Sequence, residues 1–165
     1  MDDNYIYIGK IVNTHGLKGE IRIISDFEYK DKVFIPGMKF YLGRRKEIVT
    51  VKTYRHHKNF DMITMEEYDD INQVERLKKL YVYIDKNDLH LDDNEYLDSD
   101  LIDLEVLVDN ENKGIVTNVR DTGNNKFLVI KSNDKEVFVP YNKEFIKEIN
   151  LKDKYIVIEP IKGMF

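Results

Sequence analysis

The chain has 165 residues, with 26 Lys and Arg against 31 Asp and Glu, four His, and neither Cys nor Trp. That length suits one compact domain or two small ones, and a chain of this size buries roughly two-thirds of its unfolded surface. The lack of cysteine excludes disulfides, thiolate nucleophiles and cysteine zinc sites, and it fits a reducing compartment. No apolar run is long enough to span a membrane and the N-terminus is acidic. We therefore expect a soluble, cytoplasmic protein with no membrane partner.

The first half of the chain has the pattern of a small β-domain. Val, Ile, Thr, Tyr and Phe make up 58 residues, and these side chains fit a pleated, half-buried surface. Strand-like runs separated by turn formers occupy residues 5–12, 20–25, 39–42, 48–54, 60–65 and 79–84. Six short strands predict a small closed barrel or a sandwich, because closure removes the sheet edges. One short helix is predicted over 70–78, capped by Asp69 or Asp70.

A polar stretch at residues 85–94 separates this half from a second one. We place an N-terminal domain at 1–90, a linker at 91–97 and a C-terminal domain at 98–165. In the second half, strand-like runs cover residues 104–108, 114–120, 127–131, 136–139 and 155–158. They predict a second small β-barrel, while residues 145–149 fit either a strand or a helical turn.

Charge is distributed unevenly along the chain. Residues 1–91 carry 16 bases and 15 acids, whereas residues 92–165 carry 10 bases and 16 acids. Locally, residues 39–58 hold seven bases against Glu47 alone, and residues 92–111 hold nine acids and no base. This pattern predicts two surfaces of different electrostatic character.

No catalytic constellation is apparent, so we expect a protein that is not an enzyme and needs no cofactor, metal or small-molecule substrate. The serines lack a nucleophile-elbow motif, and no Walker or dinucleotide-binding motif is present. His56 and His57 are adjacent, so on a strand they point to opposite faces and cannot share a metal. His15 lies in a glycine loop, where it most simply organises the loop. The alternative is a small β-barrel enzyme that uses His15 as a general base.

The sequence of residues 9–23, GKIVNTHGLKGEIRI, resembles the N-terminal signature of the bacterial ribosome maturation factor RimM family. Its loop motif comprises Thr14, His15, Gly16, Leu17 and Gly19. Further segments similar to the family follow in order at residues 100–106, 122–129, 137–140, 149–151 and 158–163. The resemblance therefore runs almost from end to end.

The resemblance implies an all-β fold of two small β-barrels joined by a short linker, an N-terminal translation-factor-like barrel and a C-terminal PRC barrel. It implies a non-catalytic factor that binds the free small (30S) ribosomal subunit and assists late assembly of the head region and 16S rRNA processing. The implied partners are the small ribosomal subunit, 16S rRNA and the nineteenth small-subunit protein, a head protein of the uS19 type. An alternative is a PRC-type interaction module of another complex.

Two binding surfaces follow from the charges. The acidic second module is predicted to dock a basic ribosomal protein through the apolar anchors Tyr96 and Leu97, although Tyr96 could instead pack the linker. The rim of that surface comprises Asp98, Asp100, Asp103 and Glu105. A basic set is predicted to face rRNA phosphates, the alternative being a solvated, codon-biased surface. It comprises Lys18, Arg22, Arg44, Arg45, Lys46, Arg55, His56 and Lys58.

Two positions depart from the family pattern. Near the linker the family usually has two adjacent aromatic residues, where this chain has Tyr96 and Leu97. Asp103 occupies a position where glycine is usual. If the backbone there requires a positive φ, Asp tolerates it better than a β-branched residue would.

Overall fold

The computed structural model describes residues 4–165, and most of its regular structure is β-strand. Contacts divide the chain into two units, residues 1–92 and residues 93–165. This confirms the predicted all-β fold with two small β-domains. None of the helices in the described range is long and apolar enough to cross a membrane.

The first unit is a closed barrel of six strands in the order β1, β2, β5, β4, β3, β6. The strands are β1 (Tyr5–His15), β2 (Glu20–Ile24), β3 (Lys39–Leu42), β4 (Glu47–His57), β5 (Phe60–Met65) and β6 (Tyr81–Asp85). Alternation defines the barrel core, because Ile21 and Ile23 are fully buried while Arg22 between them points outward. The six strands form a closed barrel, which is one of the two arrangements that the six strand-like runs predict.

Short helices lie in two connections of the first unit. Helix α1 (Lys30–Val33) follows β2, and helix α2 (Ile71–Val74) continues into a 3₁₀ turn at Glu75–Leu77. Asp70 caps α2 with a capping box, as the sequence predicts, and Val74 and Leu77 are fully buried. A second 3₁₀ turn, Lys86–Asp88, follows β6.

The second unit is a six-stranded sheet in the order β10, β9, β8, β7, β12, β11. Helix α3 (Asp98–Leu101) precedes β7 (Glu105–Val108), β8 (Glu111–Asp121), β9 (Lys126–Ser132), β10 (Lys135–Pro140), β11 (Ile146–Asn150) and β12 (Tyr155–Ile158). Strands β12 and β7 are parallel and the other neighbours are antiparallel. Residues 145–149, ambiguous in sequence, fall mainly in strand β11. The sheet encloses its own apolar core, which includes Leu101, Val116 and Ile130.

Candidate binding surfaces

The loop motif forms the turn between β1 and β2, and its glycines are required by the backbone. Gly19 has φ 91° and lies against the segment that leads into α2, so that a Cβ there would approach the Tyr68 carbonyl oxygen to 2.7 Å. The carbonyl of Leu17 accepts a hydrogen bond from the Ile71 amide at 2.9 Å. The loop is thereby fixed to the start of α2, while Lys18 at its tip is exposed.

Strands β1, β2, β5 and β4 present a shared outer face. Arg22, Met62 and Arg55 are direct partners across three neighbouring strands, which places their side chains on one side of the sheet. We call this surface the histidine–arginine face, formed by His15, Glu20, Arg22, Arg55, His57 and Phe60. Met62 lies beneath it and is fully buried.

Short contacts hold the side chains of this face together. Arg22 Nη2 donates to His15 Nδ1 at 2.6 Å, and its guanidinium lies 5.4 Å from the Phe60 ring centroid. The rings of His15 and His57 are 6.1 Å apart. Because arginine can only donate, His15 Nδ1 must be the unprotonated nitrogen of its ring. His15 thus contacts Arg22 on the neighbouring strand β2 and His57 on β4, which lies far from it in sequence.

The charges of the histidine–arginine face are partly compensated. Arg55 makes a two-point ion pair with Glu20, with distances of 2.9 Å from Nε and 2.8 Å from Nη2. This hydrogen bonding lowers the pKa of Glu20. Partial loss of solvent, followed by the cations Arg55 and Lys58, lowers the pKa of His57. The face therefore places cationic arginine beside the His57 imidazole, whose charged form is disfavoured.

A second cationic site lies at the turn between β3 and β4, which we call the arginine turn, Arg44 and Arg45. Both side chains are exposed, and neither makes an ion pair or hydrogen bond within residues 4–165. They border a cleft of about 510 Å³ together with Arg76, Glu47 and Leu80. Arg76 is already paired with Glu47 at 2.8 Å, so the free cations here are the two turn arginines.

The predicted rRNA-facing residues therefore occupy separate places. The arginine turn and Lys46 lie just before or at the start of β4, whereas Arg55 is near its end. An eleven-residue strand spans roughly 30 Å, so these cations form two patches. Lys58, in the turn after β4, is exposed.

His56 faces away from the cationic side of β4, which corrects its predicted place. Its Nδ1 lies 3.5 Å from Asp61 on the side opposite Arg55, as strand alternation requires. The histidine on the same side as Arg55 is His57, which is not among the predicted rRNA-facing residues. Strand alternation relative to Arg55 and Arg22 was the signal that could have identified it.

In the second unit, Tyr96 lines an apolar groove of about 370 Å³. Tyr141 and two residues of β11, Ile146 and Ile149, form the rest of its apolar lining. Charged side chains on the rim are Asp93, Lys143, Lys147 and Glu148. The sequence did not indicate this groove, because it joins residues about fifty positions apart.

Leu97 does not accompany Tyr96 on the surface. Its side chain is only 6% exposed, at the residue that precedes helix α3. The predicted pair of adjacent anchors is therefore corrected to one displayed aromatic, Tyr96. The second aromatic ring of the groove comes instead from Tyr141.

The predicted acidic rim is dispersed. Asp98 pairs with Lys126 at 2.7 Å, and the Lys126 ammonium lies 4.8 Å from the Tyr141 ring centroid. Burial, with Asp98 and Tyr96 as weaker causes, raises the pKa of Tyr141. Asp100, Asp103 and Glu105 do not line the groove. Asp103 has φ 72°, so this position does adopt the left-handed backbone that explains the usual glycine.

Among residues 4–165, no group of three or more His, Asp or Glu side chains is arranged to hold a metal ion. The fold and surfaces define a two-domain all-β protein with cationic sites on one domain and an aromatic groove on the other. Residues 6–89 match the RimM N-terminal domain, and residues 98–164 match the RimM PRC barrel domain.

Relatives named ribosome maturation factor RimM cover nearly the whole chain. The Exiguobacterium sp. protein is 37% identical over 167 residues, 98% of this chain and 96% of its own. That of Staphylococcus haemolyticus is 39% identical over 165 residues, 96% of this chain and 98% of its own. A crystal structure of a putative 16S ribosomal RNA processing protein RimM from Pseudomonas aeruginosa aligns with TM-score 0.46 and 21% identity, over 95% of this chain and 98% of that one. The chain belongs to the RimM family of ribosome maturation factors.

Proposed function

We propose that this protein is a cytoplasmic, non-catalytic maturation factor that binds the free 30S subunit and assists late assembly of its head and 16S rRNA processing. The observation that carries the proposal is the histidine–arginine face, where the family's hairpin motif meets Arg55 and His57 of β4. Family membership over both domains supports a ribosomal role over that of an isolated PRC module serving another complex.

The first domain is proposed to contact 16S rRNA phosphates. The arginine turn offers two guanidinium groups that pair with no carboxylate among residues 4–165. Arg22 offers a third, oriented by His15 at 2.6 Å. Arginine suits phosphate because its planar donor fork binds two oxygens at once. Such contacts position the protein without reading base sequence.

The second domain is proposed to bind the basic head protein of the uS19 type. Tyr96 and Tyr141 give the groove an aromatic floor, and aromatic anchors in pockets contribute most to protein interfaces. The surrounding domain carries an excess of acids, 16 against 10 bases over residues 92–165. That excess favours and orients the approach of a basic partner.

A non-catalytic role is supported by the surroundings of His15. A histidine base is commonly oriented by a carboxylate, whereas His15 Nδ1 accepts a hydrogen bond from an arginine. The contacts of this ring thus fix a surface arginine, which suits binding.

Salt dependence tests the rRNA contact. We expect the full-length double variant Arg44→Glu, Arg45→Glu to bind purified free 30S subunits more weakly than the unmodified chain. The slope of log affinity against log salt should fall by about two, roughly one for each lost phosphate contact. Lys135→Glu, Lys152→Glu changes net charge equally on exposed positions of the second domain and is the control. Equal slopes in the two double variants would contradict the contact.

The groove is tested by truncating its central aromatic. We expect Tyr96→Ala to reduce the affinity of the full chain for the purified head protein by about tenfold or more. Phe138→Ala removes a 47% exposed aromatic elsewhere in the same domain and should leave affinity unchanged. Calorimetric titration gives the affinities, and near-ultraviolet circular dichroism verifies that both variants fold. Equal affinities of the two variants would assign the partner to another surface.

A further inference from the structure

Five tyrosines occupy the outside of the barrel on the three strands β1, β6 and β3. Tyr7 and Tyr83 are direct partners across β1 and β6, and Tyr83 is the direct partner of Tyr41 on β3. Directly opposed residues share one side of a sheet, so these three rings lie in a row. We call this surface the tyrosine face, formed by Tyr5, Tyr7, Tyr41, Tyr81 and Tyr83.

The rings form a connected aromatic surface. Tyr7 makes edge contacts with Tyr81 at 5.7 Å and with Tyr83 at 6.0 Å between centroids. Tyr5 contacts Tyr41 at 5.1 Å. Tyr7 and Tyr81 each keep half of their surface exposed, 50% in both cases. The barrel core is filled from the other side of these strands, by residues such as Val82 and Leu42. Core packing therefore does not account for outward tyrosines, and contiguous exposed aromatic surface marks an interaction site.

Lysines stand over the same rings. The Lys46 ammonium lies 4.3 Å from the Tyr83 centroid and 5.4 Å from that of Tyr5. Lys10, the cross-strand partner of Tyr81, lies 5.6 Å from its ring. Asp26 lies near Tyr7, and Asp85 and Asp88 lie near Tyr41, where they help to raise the pKa of each tyrosine after burial. The two lysine ammonium groups, in contrast to these aspartates, lie over the faces of the rings.

Exposed aromatic rings with adjacent cations on a sheet surface suit unpaired nucleotides. Bases stack on aromatic faces without strict sequence preference, while lysines meet the phosphates that connect them. A protein partner fits less well, because lysine is depleted from the centres of protein interfaces. A duplex also fits less well, since its bases already stack on each other and their faces are hidden.

We propose that the tyrosine face binds unpaired RNA nucleotides, with bases stacked on Tyr7 and Tyr81 and phosphates contacted by Lys10 and Lys46. This site goes beyond the proposed phosphate contacts, because its rings lie on β3, β6 and the first residues of β1 and none of them belongs to the histidine–arginine face. It also binds bases rather than backbone alone. It would also hold single strands in the absence of any ribosomal protein.

Direct binding of short RNA tests the proposal. Labelled single-stranded oligouridine and oligoadenine are titrated with the full chain at low salt, and affinity is measured by fluorescence anisotropy. The double variant Tyr7→Leu, Tyr81→Leu keeps apolar side chains but removes both rings, and it should bind at least tenfold more weakly. The ring-preserving Tyr7→Phe, Tyr81→Phe variant should retain affinity. Phe138→Leu, which removes an exposed ring on the second domain, should do the same.

A spectroscopic readout reports the stacking itself. The chain has no tryptophan, so Tyr81→Trp introduces a sole indole emission. Single-stranded RNA should quench that emission, and duplex RNA of the same sequence should quench it less. The proposal is overturned if the unmodified chain binds no single strands, if the two-leucine variant binds as tightly as Phe138→Leu, or if RNA leaves the indole unquenched. It is also overturned if the Tyr7→Leu, Tyr81→Leu variant keeps its affinity for RNA and loses affinity only for proteins. Sedimentation with 30S subunits is scored separately, so failure here leaves the proposed function standing.

Discussion

At the scale of single residues, Asp61 is notable as an acidic side chain in the interior of the first domain. Its side chain is fully buried, yet its oxygens lie 2.6 Å from the Tyr54 hydroxyl and 2.8 Å from Lys30 Nζ. Burial and then the hydrogen bond to Asp61 raise the pKa of Tyr54 to about 12. A buried carboxylate is tolerated only when it is paired in this way. Asp61 therefore ties the segment that contains α1 to β4 and β5.

Replacement of this carboxylate should weaken the barrel. We expect Asp61→Asn to lower the free energy of unfolding by about 2 kcal/mol, because an amide cannot satisfy both the hydroxyl and the ammonium. The pKa of Tyr54 should fall towards its ordinary value of 10.0, since its anionic neighbour is gone. Urea unfolding and absorbance titration of tyrosine measure the two effects. Asp134→Asn, at an exposed hairpin turn, is the control and should change neither.

At the scale of elements, the hairpin of the loop motif depends on a close approach between its turn and α2. We expect Gly19→Ala to lower the free energy of unfolding by more than about 2 kcal/mol, from a left-handed backbone together with contact against the Tyr68 carbonyl. Gly37→Ala is a matched control in the same domain, with φ 90° and no heavy atom within 4 Å of its added Cβ. The difference between the two variants isolates the close approach. Equal losses in thermal or urea unfolding would show that backbone strain alone matters.

The strands could be predicted because alternation is a local property. Runs such as residues 20–24 carry their burial pattern in adjacent positions, and turn residues mark their ends. The order of the strands in the sheet could not be predicted in this way, because it depends on residues that are distant in sequence. The cations at 44–46 and at 55 are close in sequence but lie at opposite ends of β4. Alternation along β4 places His57 on the same side as Arg55, but the contact of His57 with His15 depends on the order of the strands.

The apolar groove of the second domain was even harder to predict from the sequence than the order of the strands. Tyr96 was predicted from its place beside the linker, but its neighbours come from the two edge strands of the sheet, since Tyr141 directly follows β10 and Ile149 lies in β11. No pattern within a short window joins these residues. The positive φ of Asp103 was considered only as a condition, on the resemblance to a family in which glycine is usual at this position.

At the scale of the whole molecule, the two domains differ in how acid should affect them. Within the described chain, the carboxyl groups whose pKa is lowered are Glu20, Glu47 and Glu75, and all lie in the first domain. Hydrogen bonds from Arg55 and Arg76 are the main cause for Glu20 and Glu47. A carboxyl with a lowered pKa in the folded state stabilises it fully above the ordinary value. That stabilisation is lost as the pH falls through the folded-state pKa.

We therefore expect acid to destabilise the first domain before the second. The stabilisation begins to decline below the ordinary glutamate value of 4.5, and protonation removes the Glu20 and Glu47 ion pairs as the pH falls through their lower folded-state pKa values. Backbone amides of residues 4–92 should then lose protection while those of the second domain keep it. Hydrogen exchange of the full chain at about pH 6 and about pH 3, corrected for intrinsic rates, follows both domains in one sample. The variant Glu20→Gln, Glu47→Gln should be less stable at neutral pH and respond less to acid. Earlier loss of protection in residues 93–165 would contradict the assignment, because it would place the acid-sensitive groups in the other domain.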